Sequence, residues 1–87
     1  MNLEDKLQEM RKRTADSLPK ESLDELRMYN NKITNTETTL EEKREALISF
    51  NAAVKDLTHK GLYVDYLNYM SKEYQYTLYN GDNDEKY

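Results

Sequence analysis

The sequence contains no cysteine, only one proline and only two glycines. Without cysteine the chain can form neither a disulfide bond nor a metal site with thiolate ligands. The shortage of proline and glycine disfavours a strand-rich sandwich, because that architecture needs many tight turns. Long helices need few turns, so these absences favour an all-α protein.

Long apolar runs are also missing. No stretch approaches the roughly 20 apolar residues that a membrane-spanning helix requires. Residues 1–5 are acidic and lack the apolar segment of a signal peptide. The absence of cysteine fits a reducing compartment. We therefore expect a cytoplasmic protein with no membrane contact.

The third shortage is of basic charge. The chain carries 13 Lys and Arg residues against 17 Asp and Glu residues, which gives a formal net charge of −4. Proteins that bind nucleic acid use a surplus of Lys and Arg to neutralise phosphates. The one basic run, Arg11–Arg13, is interpreted as a solvated helix face. Direct nucleic-acid binding is therefore not expected. Two short helices separated at Pro19 would also fit a helix-turn-helix regulator, but the charge balance argues against that alternative.

The spacing of the apolar residues predicts one small bundle of three or four helices with short loops. A first helix is predicted over residues 3–18, and Pro19 ends it and begins a second helix that runs to residue 33. The short link between them indicates an antiparallel hairpin or a sharp bend. Residues 1–81 are predicted to form a single domain, and residues 82–87 a mobile polar tail.

The second half of the chain carries the strongest helical pattern. A third helix is predicted over residues 40–60, and Thr39 and Glu42 form a Thr-x-x-Glu capping box at its start. A fourth helix is predicted over residues 62–79. Its last six residues also alternate like a strand that ends on a hairpin-type Asn-Gly pair. No partner strand follows them, so we retain the helix.

Residues that enzymes use for catalysis are few and scattered. His59 is the only histidine, and Lys55 and Tyr63, one helical turn away on either side, add no imidazole or carboxylate ligand. The three acids in residues 41–45 are interpreted as stabilising a helix N-terminus through its dipole. With two glycines, the chain also lacks a phosphate-binding loop. We therefore expect no catalysis, no cofactor and no metal site.

Tyrosine is the unusual component of the sequence, since six of the eight tyrosines lie between residues 63 and 79. Four of these fit the predicted core face of the fourth helix. Tyr69 and Tyr76 do not, because they lie seven residues apart on a second line of the helix that Leu62 continues. A second apolar stripe indicates a second neighbour, which is either a partner or another part of the same bundle.

We favour a partner, because interfaces are enriched in tyrosine, which combines a rigid apolar ring with a hydroxyl group. The leading hypothesis is a small non-catalytic inhibitor or adaptor that docks on a larger host protein. Asn, Lys, Glu and Tyr, which are encoded by AT-rich codons, are abundant. This composition indicates a low-GC bacterium, or a phage or mobile element living in one. The predicted protein interface consists of Leu62, Tyr66, Tyr69, Glu73, Tyr76 and Tyr79.

Two alternatives remain open at this point. In helix count and length, the predicted bundle resembles the bacteriocin immunity proteins of low-GC bacteria, although no shared motif carries that resemblance. A self-assembling structural protein would instead pair the third and fourth helices across the axis of a homo-oligomer. Acids beside the tyrosines would also let an inhibitor imitate nucleic acid and occupy a basic groove.

Overall fold

The computed structural model describes residues 2–80, which form four α-helices and a final π-helical turn with no strand among them. The predicted all-α bundle is therefore confirmed. None of the helices in this part of the chain has the length and apolar character needed to cross a bilayer. The tail predicted at 82–87 lies outside the described residues. The elements are α1 (Leu3–Ser17), α2 (Lys20–Thr34), α3 (Leu40–His59), α4 (Asp65–Gln75) and the π-turn (Tyr76–Asn80).

The break between α1 and α2 lies where the proline predicts it. Leu18 and Pro19 both have extended backbones, and Pro19 is the N-cap of α2 rather than its first helical residue. The two helices do not form a hairpin. α1 packs mainly against α4, and α2 packs against α3. The link is therefore a sharp bend that sends α1 and α2 to different neighbours, and the hairpin alternative is wrong.

Helices α2 and α3 form the best-packed pair of the bundle. They run antiparallel, since Ser22 and Glu25 near the start of α2 line the same groove as Asp56 and Leu57 near the end of α3. Burial of each large apolar side chain stabilises the fold by about 1.5–3 kcal/mol. The buried apolar residues that this pair contributes to the core are Leu26, Ile33, Ala46, Leu47, Phe50, Val54 and Leu57.

The start of α3 is fixed by the predicted cap. The hydroxyl oxygen of Thr39 accepts a hydrogen bond from the backbone N–H of Glu42 at 3.1 Å. The same hydroxyl donates to the Glu42 carboxylate at 2.9 Å. The Glu42 side chain thus binds the Thr39 hydroxyl, whereas in the usual capping box it binds the N-cap backbone N–H. One free backbone donor of the first turn is satisfied, so the loop ends at residue 39.

The end of α3 is a Schellman motif. Gly61 has a φ of 75°, a left-handed conformation that glycine adopts without strain. The N–H of Gly61 donates to the carbonyl of Thr58 at 3.0 Å, and the N–H of Leu62 donates to the carbonyl of Leu57 at 3.1 Å. The Leu62 side chain packs against the core, as the residue after the glycine does in this motif. Leu62 therefore belongs to the cap of α3.

This cap corrects the predicted start of the fourth helix. Residues 62–64 are not helical, and α4 begins at Asp65 with the buried Val64 as its N-cap. The end of the segment is helical as predicted, since α4 continues into the π-turn at Tyr76. The alternative strand at 74–79 is wrong. The wider winding of the π-turn changes the direction of its side chains relative to a continuous α-helix.

The Thr39 cap gives a first testable prediction. Thr39→Ala removes the acceptor for the Glu42 N–H, so we expect the free energy of unfolding to fall by about 1 kcal/mol in urea denaturation. Thr36→Ala is the matched control, because within residues 2–80 its side chain is exposed and makes no hydrogen bond. Equal losses in the two variants would contradict the capping role of Thr39.

Candidate protein interface on helix α4

Helix α4 contacts both α1 and α3, so two of its sides are covered within the chain. Leu67 and Leu78 are buried on its inner side. The hydroxyl of Ser71 donates a hydrogen bond to the side-chain carbonyl of Asn51 on α3. These contacts fix the rotation of α4 about its axis. The positions on its outer side then follow from the helical repeat.

Tyr74 joins α4 to two other helices at once. Its ring meets Phe50 of α3 edge to face, with 6.0 Å between the ring centroids and 80° between the planes. Its hydroxyl donates to the side-chain carbonyl of Asn30 on α2. Burial of the half-buried phenol raises the pKa of Tyr74, and the nearby Tyr66 raises it further. Both causes disfavour the phenolate, which could not donate this hydrogen bond.

Arg44 of α3 holds the end of the π-turn. Its Nε and Nη2 atoms both donate to the backbone carbonyl of Leu78, at 3.0 Å and 2.7 Å. Its guanidinium carbon lies 4.6 Å from the centroid of the Tyr79 ring, in the range of a cation–π contact. The last carbonyls of a helix have no partner within it. Arg44 supplies one from outside and attaches this end to α3.

Two of the predicted interface residues have structural roles inside the bundle. Leu62 lies outside α4 and packs against the core, so its predicted place on the line of Tyr69 and Tyr76 is wrong. Tyr66 is half-buried and lines a cavity between the helices. The bundle itself covers Leu62, while an interface role for Tyr66 stays a prediction.

The other predicted residues lie at or near the surface. Tyr69, Glu73 and Tyr76 follow one another at spacings of four and three residues, which places them on one side of the helix. We call these three residues the tyrosine face. Tyr69 is half-buried and Glu73 is exposed, while Tyr76 is 56% exposed. Tyr79 is 40% exposed and lies at the edge of this region, over Arg44.

The cavity beside Tyr66 has a volume of about 180 Å³ and lies where α1, α2, α3 and α4 meet. Sequence reasoning missed it, and it interpreted one of its residues, Arg11, as merely solvated. No local signal identifies a cavity whose wall comes from four separate helices. The residues that line it are Arg11, Thr14, Ala15, Leu23, Leu26, Arg27, Asn30, Phe50, Tyr66, Leu67 and Met70.

The remaining candidates for chemistry stay apart. His59 is exposed at the last position of α3. Within the described residues, no three His, Cys, Asp or Glu side chains converge to hold a metal ion. The guanidinium carbon of Arg13, in the basic run of α1, lies 4.6 Å from the centroid of the Tyr63 ring. One member of that run therefore contacts the segment that leads into α4.

Comparison with known proteins gives no relative: no protein-family model, curated protein or solved structure matches the chain. Function is therefore inferred from the residues and geometry of this chain.

The Tyr74 hydrogen bond gives a second prediction. Tyr74→Phe keeps the ring on Phe50 but leaves Asn30 without its donor, so we expect the free energy of unfolding to fall by about 1–2 kcal/mol. Tyr69→Phe is the matched control, because its hydroxyl makes no hydrogen bond within residues 2–80. Urea denaturation of both variants measures the difference. A Tyr69→Phe loss as large as that of Tyr74→Phe would argue against a special role for Tyr74.

The raised pKa of Tyr74 gives a third prediction, in alkaline solution. A pKa that is higher in the folded than in the unfolded protein gives stability that is complete below about pH 10 and is lost as the pH rises through the folded value. Between about pH 8 and about pH 11, the free energy of unfolding should therefore fall more for wild type than for Tyr74→Phe. Parallel losses in the two proteins would show that Tyr74 does not carry the effect.

Proposed function

We propose that the protein is a small, non-catalytic binding protein that docks its tyrosine face on a larger protein. The observation that carries the proposal is the 56% exposure of Tyr76 beside the exposed Glu73 and the half-buried Tyr69. Tyrosine is enriched in interface hot spots, where the side chain fills a pocket and the surrounding contacts exclude water.

Rigidity of the helix supports this proposal. Ser71 and Tyr74 attach the inner side of α4 to α3 and α2, and Arg44 attaches its end to α3. A face on a fixed helix loses little freedom on binding, so more of the contact energy appears as affinity.

The charge of the face indicates the kind of partner surface. Glu73 lies between the two tyrosines, and the whole chain has a formal net charge of −4. A complementary surface would offer an apolar pocket for Tyr76 and a Lys or Arg side chain for Glu73. In its finer form, the proposal is of a cytoplasmic inhibitor or adaptor from a phage or mobile element of a low-GC bacterium. The support for this finer proposal comes from the amino-acid composition of the chain.

Affinity capture from the lysate of a low-GC bacterium tests the proposal, followed by titration calorimetry with the purified partner. We expect Tyr76→Ala to weaken binding by about 30-fold or more, as loss of a hot-spot residue does. Glu73→Lys should weaken binding to a basic surface by about tenfold. Circular dichroism first establishes that each variant folds.

The matched control is Met28→Ala on α2, because Met28 is 57% exposed and lies outside the tyrosine face. This variant should bind like wild type. The interface lies elsewhere if the partner binds Tyr76→Ala as tightly as wild type. The same conclusion follows if Met28→Ala weakens the affinity as much as Tyr76→Ala does. Sedimentation of the protein alone identifies self-association, which would favour a homo-oligomer as the occupant of the face.

A further inference from the structure

The cavity between the four helices has an apolar floor large enough for a ring. Its lower wall consists of Leu23, Leu26, Phe50, Leu67 and Met70, and its volume is about 180 Å³. An engineered apolar cavity of about 150 Å³ is known to hold benzene. A single six-membered ring or a branched aliphatic chain of similar size therefore fits here.

Among residues 2–80, the rim of the cavity carries hydrogen-bond donors and hydroxyls and no acid. Arg11 of α1 and Arg27 of α2 both line it, and neither has an ion-pair or hydrogen-bond partner among residues 2–80. The side-chain carbonyl of Asn30 is occupied by Tyr74, which leaves the amide N–H groups of Asn30 as donors. No Asp or Glu of the part of the chain that the structure describes lies in the lining. Such a rim favours an anion.

The donors are of the type that recognises a carboxylate. An arginine side chain can donate two parallel hydrogen bonds to one carboxylate group, with an energy about twice that of a neutral hydrogen bond. Two arginines at one opening are a local exception in a chain of net charge −4. The smaller groove between α2 and α3 provides a contrast, since Glu25 and Asp56 line it and would repel an anion.

We propose that this cavity binds a small organic carboxylate, with its ring or branched chain on the apolar floor and its carboxylate at the rim with Arg11 and Arg27. The Tyr74 hydrogen bond holds Asn30 in place for the same ligand. The site does not depend on the proposed docking function. It uses neither Tyr76 nor Glu73, so each proposal can fail without the other.

Benzoate is the probe that tests the site, in a titration to about 20 mM followed by amide chemical shifts. We expect saturable shifts of the amides of Thr14, Asn30, Tyr66 and Met70. Benzamide has the same ring without the charge and should bind about tenfold more weakly. Arg11→Gln and Arg27→Gln should each weaken benzoate binding by about tenfold, while the fold is unchanged because both side chains are exposed.

Lys12→Gln is the matched control, because it removes one positive charge next to Arg11 but does not line the cavity. It should leave benzoate affinity within about twofold of wild type, as expected for an exposed, screened charge. The proposal is overturned if no saturable shifts occur, if benzamide binds as well as benzoate, or if Lys12→Gln weakens binding as much as Arg11→Gln. Shifts confined to the tyrosine face would also overturn it.

Discussion

The side chain of Tyr74 links three helices, with its ring against Phe50 of α3 and its hydroxyl bound to Asn30 of α2. Rotation of α4 about its axis would remove both contacts and leave the Asn30 carbonyl without its donor. A satisfied polar contact inside a small bundle specifies one arrangement more strictly than apolar packing does. With Tyr74 facing inward, Tyr76 is exposed, Tyr69 is half-buried at the edge of the outer side, and Tyr66 borders the cavity.

Helix α3 is linked to both ends of the segment that contains α4 and the π-turn. The Schellman motif at Gly61 turns the chain away from α3, so the next helix starts only at Asp65. Near the other end of α3, Arg44 binds the carbonyl of Leu78 and holds the π-turn. The antiparallel course of α4 along α3 follows from these two attachments. The position of the proposed docking face therefore depends on residues of a neighbouring helix that do not belong to it.

Sequence reasoning predicted the features that depend on local chemistry. The four helices, the break at Pro19 and the Thr39 cap arise from residues close together in the chain, and all are confirmed. Features that depend on distant residues were missed. Asn30 and Tyr74 are 44 positions apart, and the cavity rim combines arginines of α1 and α2. The predicted position of Leu62 is wrong because it assumes a continuous helix from residue 62, and helical spacing alone does not show where a helix begins.

The partition of the tyrosines into inner and outer positions is the central claim, and solvent accessibility measured for each ring tests it most directly. Fluorotyrosine labelling, with resonances assigned by single Tyr→Phe variants, would report each ring separately in the presence of a soluble paramagnetic chelate. The structure predicts strong broadening for Tyr76, which is 56% exposed, and much weaker broadening for the half-buried Tyr74. Equal broadening of Tyr74 and Tyr76 would contradict the arrangement of α4 described above, and with it the proposed docking face.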